Sequence, residues 1–314
     1  MVGYSKYRQR KLTQLDYLIA GAGSGVITRM ITQPLDVLKI RFQLQVEPIL
    51  RSSSSKYHSV FHATKLIIQE EGVKALWKGH IPAQFLSVSY GTVQFWSFEV
   101  LTEKAATFDL SPSFYPVINF TCGAVAGCTA TAASFPFDVV RTRLVAQSEH
   151  QKVYSSVTQA FTTIVRNEGF FALYRGMLPT FFQIAPHGGV QFMCYRLFNN
   201  FYKYLTDTTD TTFVSSFLSG SFAGFCGKTA VYPLDLAKKR MQIQGFEHGR
   251  SSFGAFFKCS GLYDCLVKIY EVEGFSGLFK GLSPSILKAV FTTALYFSTY
   301  ETICKLLASQ REDD

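Results

Sequence analysis

A six-residue motif occurs three times in this chain at near-constant spacing, and that recurrence limits the fold more than any other feature. Pro34-Leu35-Asp36-Val37-Leu38-Lys39 returns as Pro136-Phe137-Asp138-Val139-Val140-Arg141 and as Pro233-Leu234-Asp235-Leu236-Ala237-Lys238. Each copy leads to Glu-Gly and then to an aromatic-basic-Gly triplet. These are Glu71-Gly72 with Trp77-Lys78-Gly79, Glu168-Gly169 with Tyr174-Arg175-Gly176, and Glu273-Gly274 with Phe279-Lys280-Gly281. Upstream, Gly21/Gly25, Gly123/Gly127 and Gly220/Gly224 stand at one fixed offset before the prolines. The chain is a tandem triplication, and a repeat of this kind is the unit from which the fold is read.

Hydropathy decides what each repeat becomes. Residues 81–98, 110–137, 177–195 and 211–227 contain no Asp, Glu, Lys or Arg. About 18 or more apolar-leaning residues can cross a hydrocarbon core as a helix. Yet the mean hydropathy of the chain is only +0.13, low for a lipid-embedded bundle with a dry interior. Membrane helices around a polar cavity reconcile the two, because intramembrane polar groups face a bundle interior or water. The expected fold is an all-α membrane protein, a pseudo-threefold bundle of six transmembrane helices with three short surface helices. Its parts are a basic tail over 1–12, repeats over 13–110, 111–208 and 209–308, and an acidic tail over 309–314. An even number of spans puts both termini on one side.

Glycines four apart offer a flat helix face to a close neighbour. Pro34, Pro136 and Pro233 each remove a backbone donor and should kink their helices. Asp36 and Lys39, Asp138 and Arg141, and Asp235 and Lys238 lie three apart. Unpaired charge inside a membrane is costly. Threefold symmetry lets each acid reach the base of the next helix and close a ring.

The formal net charge of +9 points to an anionic partner, either substrate or lipid headgroup. The bases are dispersed among uncharged stretches, which excludes the basic groove-binding pattern of nucleic-acid partners. HExxH, GxSxG and Walker motifs are absent, so no enzyme chemistry is expected. The seven cysteines include no CxxC and no zinc spacing, so no metal or cofactor is expected.

The three motif copies together resemble the mitochondrial carrier family over essentially the whole chain. The resemblance implies a six-helix carrier in the mitochondrial inner membrane, working by alternating access with both termini towards the intermembrane space. It implies that the acid–base ring gates the matrix side and that the three short helices lie there. Gln43 and Gln242 resemble the family's glutamine braces beneath that ring; the second repeat has Val145 at that register. The opposite end departs from the family pattern of aromatic-acid-x-x-base. Phe98-Glu99 is followed by Thr102, Tyr300-Glu301 by Cys304, and the middle copy is Tyr195-Arg196 followed by Asn199. Arg196 is expected either to pair with Glu99 or Glu301 or to stand solvated. The resemblance also implies cardiolipin at the triplets Trp77 to Gly79, Tyr174 to Gly176 and Phe279 to Gly281. A helix N-terminus with an aromatic interface anchor accounts for the same residues.

The cavity face follows from repeat register, because steps of four residues keep one helix face. Counting from each triplet glycine gives Leu86, Gln183 and Lys288, then Tyr90, His187 and Thr292, then Gln94, Gln191 and Tyr296. The family's substrate contact level adds Ile184 beside Gln183. His187 is read either as pore lining or as a ligand contact. Five residues before each proline stand Arg29, Thr131 and Lys228. Arg29, Lys228 and Lys288 place three cations on one cavity, which suits a di- or triphosphate or a pyrophosphate; snorkelling to the interface is the alternative.

Residues 39–45, 77–84, 245–248 and 280–285 are similar to animal members of the family that move thiamine pyrophosphate. That ligand would place its pyrophosphate on the cations and its thiazolium on Tyr90 or Tyr296. A (deoxy)nucleotide or coenzyme A satisfies much the same site and stays open, as does a non-transporting membrane scaffold. One chain holds all three repeats, so a monomer is expected.

Overall fold

The computed structural model describes residues 13–47, 56–107, 115–147, 152–206, 213–246 and 258–313. All its regular elements are helical. They are α1 (Gln14–Leu44), α2 (Val60–Glu71), α3 (His80–Ala106), α4 (Tyr115–Ala146), α5 (Val157–Glu168), α6 (Met177–Thr206), α7 (Phe213–Ala230), α8 (Tyr232–Gln242), α9 (Leu262–Gly277) and α10 (Leu282–Asp313). The basic tail over 1–12 and residue 314 lie outside the described residues, whereas 309–313, read above as a tail, continue α10 to its end.

Each repeat builds one long helix, one short helix and a second long helix. Thr13 opens α1 with a capping box, its hydroxyl accepting from the Asp16 amide while Asp16 accepts from the Thr13 amide at 2.7 Å. Ser59 and Ser156 cap α2 and α5 in the same register, each hydroxyl accepting from a backbone N–H 3.2 Å away. Gly72 and Gly169 end those helices at φ +82° and +87°, a conformation that favours glycine. The prolines act unequally. Pro34 and Pro136 remain inside continuous helices, while the chain breaks at Val231 so that Pro233 falls in the first turn of α8.

The long helices pack in antiparallel neighbours, α1 with α10, α3 with α4 and α6 with α7. They leave large apolar rings uncovered: Phe95, Phe120 and Phe192 are 78%, 77% and 74% exposed. Large rings left this open on long helices are the pattern of a lipid-facing surface. Only Val117–Ala146, among the described residues, is long and apolar enough by length and composition alone to cross a membrane. Charges such as Arg29, Asp36 and Lys39 lower the hydropathy of α1 and Lys288 that of α10, while uncharged polar residues such as Gln84 and Gln94 in α3 and Gln183, His187 and Gln191 in α6 lower that of the others. The six-span expectation therefore rests on the repeat more than on hydropathy.

The bundle converges where the motifs end. Val37, Leu38, Ile40 and Phe42 of α1, Val139 and Val140 of α4, and Leu236 and Ala237 of α8 are buried. They feed three apolar clusters that seat α2, α5 and α9. The close-approach glycines are not the upstream pairs. A Cβ at Gly25, Gly127, Gly220 or Gly224 would meet nothing within 4 Å, because these positions lie away from the convergent end. The triplet glycines carry the tight contacts instead. At Gly176, with φ +86°, a Cβ would come within 2.8 Å of the Lys238 carbonyl, and Gly281 meets the Lys39 carbonyl in the same way at 3.1 Å.

Candidate functional site

The convergent ends of α1, α4 and α8 bring the three acids and three bases together. Arg141 Nη2 lies 2.5 Å from Asp36 Oδ2, Lys238 Nζ 2.8 Å from Asp138 Oδ2, and Lys39 Nζ 2.7 Å from Asp235 Oδ2. Each base comes from a different repeat than its acid, and the pairs form a closed cycle. Two glutamines attach to it: Gln242 donates to Asp138 Oδ2 at 2.9 Å, and Gln43 donates to Asp235 Oδ2 at 3.4 Å. Val145 makes no such contact at the third pair; it packs in an apolar cluster.

Every ring acid holds a second cation. Lys288 Nζ reaches Asp36 Oδ1 at 2.5 Å, Lys228 Nζ reaches Asp235 Oδ2 at 3.3 Å, and Lys239 Nζ reaches Asp138 Oδ1 at 2.8 Å. Lys228, placed by register among the substrate cations, has an acid of its own repeat within reach: a seven-residue step and a long stem bring it to Asp235. Arg29 stays half-buried and donates to the Ala83 carbonyl. Lys228 and Lys288 remain 27% and 30% exposed, so both are reachable by solvent. Six cations on three carboxylates, with Arg29 beside them, leave a surplus of positive charge where the helices meet.

The remaining cavity residues divide. Leu86, Tyr90, Gln183 and His187 are half-exposed, and Ile184 and Tyr296 are exposed. Thr131 is corrected: it is 7% exposed and its hydroxyl donates to the Gly127 carbonyl at 2.7 Å, so its own helix satisfies it. Tyr296 lies two helical turns beyond Lys288, roughly 12 Å along the axis at 1.5 Å per residue. Its ring stacks on Tyr300 with centroids 6.4 Å apart. A ligand that used both levels would have to be extended.

The Glu-Gly acids have a function that sequence reading missed. Arg41, Arg143 and Arg240 stand two residues past the three ring bases, and each grips the glutamate of its own repeat with two nitrogens. Arg41 reaches Glu71 at 2.5 and 2.8 Å, and the second contacts of Arg143 with Glu168 and of Arg240 with Glu273 are 3.0 and 2.9 Å. Such bidentate pairs are among the strongest polar contacts available. The identical offset in three copies was the signal. The triplet bases join the same clusters: Lys78 contacts Glu71 at 2.6 Å, Arg175 contacts Glu168, and Lys280 contacts Glu273. Lys78, Arg175 and Lys280, expected at lipid headgroups, are thus engaged with these glutamates, two cations to each carboxylate, and Lys280 is 5% exposed. Trp77 donates its indole N–H to the Met30 carbonyl at 3.0 Å.

Burial raises the Glu71 carboxyl, but the Arg41 guanidinium and the Lys78 ammonium outweigh it and hold the group at about 2. Glu168 is lowered for the same reasons, with burial opposed by Arg143 and Arg175.

At the other end of the bundle, Glu99, Arg196 and Glu301 are exposed, and none forms an ion pair among the described residues.

A family profile described as "Mitochondrial carrier protein" matches residues 10–107, 113–205 and 209–311. Among curated proteins, the chain is 45% identical over 321 residues to the "Mitochondrial thiamine pyrophosphate carrier" of Macaca fascicularis, covering 99% of this chain and all of that one. It is 44% identical to the human protein of the same name, again over 99% and 100%. It is also 42% identical to "Mitochondrial thiamine diphosphate carrier 1" of Zea mays, over 91% of this chain and 92% of that one.

Proposed function

This chain belongs to the mitochondrial carrier family, and we propose that it moves thiamine pyrophosphate across the mitochondrial inner membrane into the matrix by alternating access. As a carrier it is a transporter and not an enzyme. The repeats over 13–110, 111–208 and 209–308 each contribute two of six membrane spans, α7 and α8 together forming one of them. The short helices α2, α5 and α9 lie on the matrix side, and both termini face the intermembrane space.

The observation that carries this reading is the ring. Three ion pairs, each between different repeats, close the bundle at one end, and cations exposed to the cavity lean on two of its acids. A pyrophosphate entering from the open side offers Lys228, Lys288 and Arg29 a better partner than the carboxylates they share. When Lys288 leaves Asp36 and Lys228 leaves Asp235, the charge that props the ring is withdrawn, and the matrix side can open. Binding energy is thereby coupled to a conformational change, as alternating access requires. Tyr90 and Tyr296 are positioned to face the thiazolium, and a nucleotide or other organic phosphate is the exchange partner. The path lies within one chain, so the carrier works as a monomer. Cardiolipin contacts use the backbone N–H groups at the starts of α3, α6 and α10, since the triplet side chains are engaged elsewhere.

The test is uptake by purified protein in cardiolipin-containing liposomes preloaded with candidate anions. Labelled thiamine pyrophosphate should enter and be competed weakly by ADP, deoxynucleotides and coenzyme A. Preference for a nucleotide would keep the ring and discard the thiazolium-on-tyrosine arrangement. A scaffold would show no uptake of any of them.

A further inference from the structure

The three seams of the ring are not equal. Across the α4–α8 seam, Asp138 is held by Lys238, by Lys239 at 2.8 Å and by Gln242 at 2.9 Å. Lys239 is itself fixed by Thr142 and Gln242, both at 3.0 Å, and Thr142 donates to Gln242 at 2.7 Å. Arg143 extends this seam outward, its Nε donating to the Gln242 carbonyl at 3.1 Å and its Nη2 to the Gln244 carbonyl at 2.9 Å. The α1–α8 seam has the same plan without a second lysine that crosses it, since Lys228 comes from the same repeat as Asp235: Gln43 braces Asp235, and Arg240 donates to the Gln43 and Gln45 carbonyls, both at 3.1 Å. Among the described residues the α1–α4 seam lacks both features. Val145 replaces the glutamine, and the buried Nε of Arg41, which by register should reach across as Arg143 and Arg240 do, has no partner among them. Lys78 donates to the Gln147 carbonyl there at 3.5 Å.

We infer that the ring opens in a fixed order, the α1–α4 seam first and the α4–α8 seam last, with Lys239 as the positioning residue that makes the last seam the slow one. This rests on the carrier reading above. Lys239 is suited to the task because it is nearly fully buried and engages only ring and brace groups. It takes no part in the cavity, where Lys228 and Lys288 stand exposed. At its register, repeats one and two have Ile40 and Thr142, so two of the three repeats lack this cation. Because the α1–α4 seam parts early, strengthening it changes little; loosening the last seam changes the rate.

The experiment compares exchange of labelled thiamine pyrophosphate by the full chain and by three variants in liposomes, with thermal unfolding in detergent recorded for each. Lys239→Ile copies repeat one, Lys239→Gln keeps a hydrogen-bonding group without charge, and Val145→Gln installs the missing brace. The loss of one charge-assisted contact at a rate-limiting seam should raise turnover by roughly tenfold in Lys239→Ile and less in Lys239→Gln, with KM within about twofold. Unfolding temperature should fall in both; a merely structural lysine would lower stability without raising turnover. Val145→Gln should change turnover by less than about twofold, since it tightens a seam that is not limiting. Unchanged or slower turnover in folded Lys239→Gln or Lys239→Ile would overturn the ranking, as would a tenfold slowing by Val145→Gln. Absence of uptake by the unaltered chain would instead overturn the carrier reading, and this inference with it.

Discussion

The two ends of the bundle are made from the same three repeats, yet only one of them is closed by charge. At the motif end, three interrepeat ion pairs, two glutamines and three Arg–Glu clamps meet within buried surroundings. At the other end, Glu99, Arg196 and Glu301 stand in the matching register, exposed and without an ion pair among the described residues. The middle repeat has Arg196 where its siblings have an acid, and Thr102, Asn199 and Cys304 stand where the bases of a cycle of three pairs would have to be. Closing the motif end therefore has a dedicated electrostatic contribution that the other end lacks among the described residues. The conformation in which the ring is intact is the expected resting state.

The largest effect should come from the clamps that hold the closed end together. Glu273, 2% exposed, faces Arg240 and Lys280, and Glu273→Gln removes the charge that both require. Breaking a buried pair of this kind costs about 3–5 kcal/mol, read as a lower unfolding temperature in detergent. A pH series reports on the same class of contact. Glu71 is held at about 2, below its unfolded value, so the stability it contributes is present above that unfolded value and is lost as pH falls towards 2. Thermal scans should therefore show progressive loss of the closed end in acid, and Glu71→Gln should flatten that dependence.

Next in size is Lys288→Ala. It removes a cavity cation that also contacts Asp36, and uptake should fall on the order of 100-fold while the protein still purifies folded. Full transport by this variant would show that the cavity cations do not meet the substrate. Gly176→Ala should cost roughly 1–3 kcal/mol, because it combines positive φ with a carbonyl 2.8 Å from the new Cβ. The same change at Gly127, where a Cβ meets nothing within 4 Å, should be nearly silent in this conformation. Smallest of all is Arg196→Gln at the open end. An exposed unpaired charge is worth little, so uptake should change by less than about twofold. A large loss there would mean that Arg196 finds a partner in the other conformation, and the two ends would be less different than the resting structure has them.

The sequence made the ring legible because the acid and base sit at one spacing in three copies, so threefold symmetry alone pairs them across repeats. It also placed Lys288 and Lys228 on the cavity side. It did not disclose that both lysines turn to ring acids, because flexible stems reach partners that register counting treats as a turn or more away. The Arg41, Arg143 and Arg240 clamps are equally periodic but do not stand out in the sequence, since their glutamates lie 25 to 33 positions further on. The upstream glycine pairs were over-read: their spacing is genuine, but in this conformation the helices diverge there and the close contacts fall to the triplet glycines.

The most direct test of the ring is a charge reversal across one seam. Lys39 and Asp235 pair at 2.7 Å between the first and third repeats, where the second cation, Lys228, is the most distant of the three. Lys39→Asp and Asp235→Lys should each reduce thiamine pyrophosphate exchange by on the order of 100-fold, and the double reversal should regain at least about tenfold, as coupled partners do. A double variant no better than the worse single, or singles that transport normally, would contradict a matrix gate built from pairs between repeats.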